Sequence, residues 1–151
     1  MFNQFDTSVR LLTEQLLVHN NSVPNPFKIV FVHTSGGLPE YCSAVTFSPL
    51  PPTGTTVQTG FHSNLTTAYN SNASVHDGAL GFEYSEKGWY LRLSAWGIRL
   101  FPPDLSNEDH PNRGMAFNSA LHFSAVPRVL RVILFAGQQV EQFSNGCVHR
   151  R

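Results

Sequence analysis

Asp77 and Gly78 are the residues of this chain whose types and spacing most invite chemistry. They sit in "NASVHDGALGFEY", residues 72–84, between a polar Asn/Ser run and the first half of a strand. Two readings fit them. Asp-Gly is a turn dipeptide, because glycine enters φ > 0 freely and aspartate caps backbone amides. The same turn holds a ligand if the carboxylate faces outward and Gly78 lets the backbone come close to it. His76 precedes Asp77 and could share a proton or a metal with it. The other histidines, His19, His33, His62, His110, His122 and His149, are scattered. A scattered histidine is more often a surface or hydrogen-bonded core residue than a ligand.

Other chemistries find no support. "TSGGLPE" (34–40) lacks both the spacing and the Lys-Ser/Thr of a phosphate loop, and HExxH and GxSxG are absent. Cys42 and Cys147 lie far apart, and two thiols alone build no zinc site, so both are expected reduced and packed. Ten Lys+Arg balance ten Asp+Glu. No basic stripe is available to neutralise a run of phosphates, which argues against duplex nucleic acid as a partner. The terminal "HRR" (149–151) is the one basic cluster. Charged residues are 13% of the chain, a low share for a free-standing domain. A surface that partly faces other protein, as in a homo-oligomer, fits that share. No stretch approaches the roughly 18 apolar residues of a membrane span, and "MFNQFDTSVR" does not read as a signal peptide. The expected location is the cytoplasm, with no membrane partner.

The 151 residues suit one domain. Phe2, Phe5, Val9, Leu12 and Leu16 recur at helical steps and predict a helix over about 3–18. "FKIVFVH" (27–33) reads as a buried strand and "YCSAVTF" (41–47) as a second. "SPLPPTGTTVQTG" (48–60) is a long loop, and 61–71 a short helix with Leu65 and Tyr69 inward. Residues 79–101 predict a hairpin turned at "SEKG", with Leu91, Leu93, Ala95 and Gly97 on one face. A polar loop (102–114) leads to a helix over 115–125, with Ala116, Ala120, Leu121 and Phe123 near helical spacing. "RVLRVILFA" (128–136) is the most strand-like run, and "QQVEQFS" (138–144) closes a last hairpin. The pattern is α+β: one domain with a mixed central sheet flanked by helices.

In this frame the "HDGA" entry resembles that of the DisA-type diadenylate cyclase domain, which joins two ATP molecules into cyclic di-AMP. The resemblance runs along nearly the whole chain in order. "FHSNLTTAYNSNASVHDGA" is similar to the helix-to-motif passage. Phe101-Pro102 stands where the family's hairpin ends in Leu-Pro, and "SALHFSAVPRVLRVILFAGQQVEQFSNG" follows the closing helix, strand and hairpin. The family's second signature, Arg-His-Arg after Gly-Thr, grips the triphosphate. Here Gly114 is kept, Met115 replaces the Thr, and Ala116-Phe117-Asn118 replaces the basic triplet.

The resemblance implies a diadenylate-cyclase-like fold whose active site is degenerate. ATP carries about four negative charges that need cations, a metal or oriented amides. Losing the triplet leaves the polyphosphate poorly held. The implied function is binding or sensing of a nucleotide or other small anionic ligand without cyclase chemistry. The implied ligand residues are Asp77, Gly78, Ala79, Phe101, Pro102, Arg113, Gly114 and Asn118. Asp77 would take a ribose hydroxyl or a metal; Mg or Mn enters only with a bound polyphosphate. Phe117 either adds an apolar face to the pocket or closes it. Two other readings stay open. One is an active nucleotidyl transferase in which Arg113 or Arg99 reaches a phosphate and Asp77 is catalytic. The other is an interaction or oligomerisation domain with a vestigial pocket.

Overall fold

A computed structural model describes residues 3–45, 48–108, 110 and 112–149. Phe2, Thr46, Phe47, Arg150 and Arg151, used in the sequence reading, lie outside the described residues. Helix α1 (Gln4–Asn20) starts where the Asn3 side chain accepts the Asp6 amide at 2.7 Å, a side-chain N-cap. Its buried stripe is Val9, Leu12, Gln15, Leu16 and His19. Strands β1 (Ile29–Thr34) and β2 (Cys42–Ala44) follow, then α2 (His62–Ser71) and a single 3₁₀ turn (Ala73–His76). Strands β3 (Ala79–Ser85) and β4 (Tyr90–Leu100) form the expected hairpin. Helix α3 (Met115–Phe123) leads to β5 (Val129–Ala136), β6 (Gln139–Ser144) and a short β7 (Cys147–Val148).

The strands make one sheet in the order β2-β4-β3-β1-β5-β6-β7. β1 pairs parallel with β3, and the other pairs are antiparallel. The expected mixed sheet with flanking helices is the observed one, and 128–135 lies inside it. Two apolar layers enclose the sheet. Leu12, Leu16, Leu65, Val30, Val32 and Phe82 pack between the sheet and the helices α1 and α2. Phe31, Phe117, Leu121, Phe123 and Phe143 pack on the α3 side.

Several local expectations change. Phe27 and Lys28 precede β1, although Lys28 still lends its carbonyl to Phe135 N–H at 2.8 Å. The second strand shrinks to three residues. Part of the 48–60 loop is an edge segment: Gly54 N–H donates to Leu93 O at 2.7 Å and Val57 N–H to Leu91 O at 2.8 Å. The single face read for Leu91, Leu93, Ala95 and Gly97 does not hold. Register shifts on either side of Gly81 reverse the alternation of β4, as bulges do. Leu91, Leu93 and Trp96 therefore face α1 and α2, while Ala95 and Ile98 face α3. α3 ends at Phe123, two residues early, and Ala116 is exposed rather than inward. Cys147 is exposed, not packed.

Candidate functional site

The 3₁₀ turn brings the HDG residues to the mouth of β3. Its cap is Asn72, whose side chain accepts the Ser74 amide at 3.1 Å. Asp77 is not a capping side chain. Its own amide donates to Ser74 O at 2.9 Å, but among the described residues its exposed carboxylate has no hydrogen-bond or ion-pair partner. The Asp77 carboxylate faces outward, as a ligand contact at this turn would require.

Gly78 has a packing reason beside the one expected. A Cβ there would lie 2.8 Å from the Gly97 carbonyl carbon and 2.9 Å from the Ile98 nitrogen. The backbone of β4 makes this close approach. Asp77 and the end of β4 are thereby held side by side.

Against this junction opens a cleft of about 580 Å³, within the range of small-molecule sites. Asp77, Gly78 and Ala79 line one wall; Ile98, Arg99 and Leu100 of β4 line another. Ala116 and Ser119 present the first turns of α3, and Asn25, Lys28 and Ile29 come from the segment entering β1. Lys28 and Arg99 are exposed there, and among the described residues neither has a hydrogen-bond or ion-pair partner. The cleft thus offers two unpaired cations, one unpaired carboxylate and an apolar floor. No side chain caps α3 at Gly114, so its first amides add donors near Ala116.

The remaining expected residues fall elsewhere. Phe101 and Pro102 run past β4 and do not line the cleft; Phe101 N–H is held by Tyr41 O at 2.9 Å. Gly114 and Asn118 are also off its wall. Arg113 is turned away: it forms an ion pair with Glu141 and its guanidinium sits 4.1 Å over the Phe117 ring. Phe117 neither lines nor closes the cleft. It is buried against Phe143 and His110 on the opposite face of α3. At 3.6 residues per turn, Ala116 and Ser119 share one face while Phe117 and Leu121 share another. Lys28, Asn25 and Ser119 were missed in the sequence. A lone lysine in the apolar run 27–32 was the available signal.

His76, which also lines the cleft, is tied to the core. Its Nδ1–H donates to the Asn25 carbonyl, which can only accept. His76 Nε2 therefore accepts from His19 Nε2–H at 2.9 Å, and His19 Nδ1 lies 3.2 Å from the Thr66 hydroxyl, which is also 3.1 Å from the His62 carbonyl. Burial, then His76 and His62, lowers His19 from 6.5 to about 4. Burial also lowers His76, against the Asn25 bond and Asp77, which raise it. A depressed histidine stabilises the fold above its unfolded value, and that stability is lost as pH falls towards the folded one. Stability should therefore fall from pH 6.5 towards about 4, by up to about 3 kcal/mol. Urea midpoints across that window check it, and the slope should flatten in His19→Gln.

Among the described residues no group of three or more His, Cys, Asp or Glu could hold a metal. Asp77 is the single carboxylate on the cleft. A Mg or Mn ion needs only one or two protein carboxylates when phosphates supply the rest, so Asp77 fits an ion carried in by a polyphosphate and not a resident one. No helix among the described residues is long and apolar enough to cross a membrane.

The seven-stranded mixed sheet and three flanking helices of the described residues make a diadenylate-cyclase-like α+β fold. The structure is similar to the crystal structure of DacA from Staphylococcus aureus, a double-cysteine variant of a diadenylate cyclase, with a TM-score of 0.55. The match covers 96% of this chain and 86% of that one at 12% identity, so the likeness is one of fold. No protein-family model and no curated protein sequence matches the chain.

Proposed function

We propose that this chain is a diadenylate-cyclase-like domain that binds a nucleotide-type ligand without making a cyclic dinucleotide. The observation that carries this reading is the cationic content of the cleft. Among the described residues Lys28 and Arg99 are the two permanently charged cations on it, beside a His76 whose burial lowers its pKa; Ala116 offers a methyl group, and Arg113 is committed to Glu141. Two cations, with Asp77 opposing them, suit a ligand bearing one phosphate better than a triphosphate of about four charges. Transition-state charge on a transferred phosphoryl group would also lack its clamp. The apolar floor of Ile29, Ile98 and Leu100 suits a base.

Retained cyclase chemistry would rest on Arg99, which is already on the cleft, or would need Arg113 to leave both Glu141 and Phe117. The experiment has two arms. Incubation with ATP and Mg²⁺ or Mn²⁺ should yield no cyclic di-AMP above background by chromatography; product that vanishes in Asp77→Ala would overturn the inactive reading. A thermal-shift titration with nucleoside monophosphates and cyclic dinucleotides should show stabilisation. A ligand at a hundred times its Kd adds about 2.7 kcal/mol. Lys28→Ala and Arg99→Ala should each weaken binding about tenfold, since a hydrogen bond to a charged group is worth about 1.5–3 kcal/mol. A panel without any response rejects the ligand reading and leaves an interaction domain.

A further inference from the structure

A second cavity, of about 300 Å³, opens on the α3 side of the sheet. His33, Glu83, Arg92 and Ser94 line it from β1, β3 and β4, and Gly37 and Leu38 come from the loop after β1. It is separate from the cleft: Ile29 and His33 lie about 13 Å apart along β1.

His33 is fully buried. Its Nδ1–H donates to the Thr34 carbonyl at 2.6 Å. A carbonyl only accepts, so the ring proton is fixed on Nδ1 and Nε2 is left as an acceptor. The group facing Nε2 is the Ser94 hydroxyl, at 2.8 Å. Ser94 therefore donates to an oriented, unprotonated imidazole nitrogen, the relation between an activated nucleophile and its base. Burial lowers the His33 pKa, outweighing the Thr34 bond and Glu83, which raise it, so the ring stays neutral and able to take a proton. Gly81 leaves room for this hydroxyl, since a Cβ there would come within 3.1 Å of Ser94 Oγ.

The surroundings supply the other parts of such a site. Arg92, half-exposed and paired with Glu83 at 2.6 Å, places positive charge on the cavity wall. Arg128 takes the Gly37 carbonyl at 2.7 Å and the Leu38 carbonyl at 3.4 Å. Gly37 and Leu38 line the cavity and their amides have no acceptor among the described residues; an acyl oxyanion would need such donors.

We propose that Ser94 and His33 form a nucleophile–base dyad that hydrolyses small acyl esters in this cavity. Ser94 Oγ bonds to the acyl carbon while its proton passes to His33 Nε2. The bond from the acyl carbon to the leaving oxygen then breaks, and that oxygen takes the proton. Water next gives a proton to Nε2 as its oxygen attacks the acyl–Ser94 ester, releasing the carboxylic acid and restoring Ser94. The size of the cavity selects a short acyl group.

The test uses the whole chain with p-nitrophenyl acetate and a fluorophosphonate. The expected result is hydrolysis above buffer and a single phosphonylated peptide containing Ser94. Ser94→Ala should abolish the label and lower hydrolysis about 100-fold, the scale of a lost base-assisted nucleophile. His33→Gln, which keeps a hydrogen-bonding side chain but no base, should lower labelling to a similar degree. Should that variant fail to fold, the pH profile of wild-type labelling replaces it, with half-maximal rate expected below pH 6.5. Hydrolysis unchanged in Ser94→Ala, a label on another serine, or no label at all overturns the dyad.

Discussion

Phe117→Ala should cost about 3–5 kcal/mol of stability, the range for removing a buried aromatic ring from a core. Phe117 is 2% exposed. Its ring meets Phe143 edge-to-face at 5.1 Å, has His110 at 5.1 Å and carries the Arg113 guanidinium at 4.1 Å. Alanine would leave a cavity between α3 and the sheet and free Arg113 from one of its two anchors. Urea unfolding measures the loss. Nucleotide affinity of the protein that remains folded should be unchanged, because Phe117 is on the far side of α3 from Ala116 and Ser119. A loss under ~1 kcal/mol, or a gain in affinity, would mean that the ring occupies the cleft after all.

Gly78→Ala should act on fold and site together. The added methyl group would meet the Gly97 carbonyl carbon at 2.8 Å and the Ile98 nitrogen at 2.9 Å. Both are backbone atoms of a paired strand, so no rotamer change relieves the overlap. The turn and β4 must separate, at about 1–3 kcal/mol for an overpacked contact. Separation would also pull Asp77 away from Arg99, so ligand-induced stabilisation should disappear. Asp77→Ala is the control. Its carboxylate is exposed and unpaired, so stability should stay within about 0.5 kcal/mol while affinity falls. Equal stability of wild type and Gly78→Ala would refute the contact with β4.

Periodicity alone determined the parts of the fold that depend on local spacing. Val9, Leu12 and Leu16 share a face on a helix, and the short, β-branched run 128–136 reads as an inner strand by its length and residue types. The balanced charge and the missing basic stripe argue against duplex nucleic acid as a partner. Residues 72–84 also contribute Asp77 to the cleft, the position the sequence singled out. Tertiary structure decided what fills that site. Whether Ala116, Phe117 or Asn118 faces the cleft depends on the rotation of α3 against the sheet. That rotation is set by where Phe143 and Leu121 pack, not by the order of the three residues. Lys28 and Arg99 come together only because β1 and β4 both flank β3, a pairing between segments too distant in sequence for spacing to show. The reversal in β4 arises from register shifts around Gly81, where strand alternation breaks down. Ser94 meets His33 for the same reason: 61 positions separate them, and only the sheet brings a hydroxyl to an imidazole.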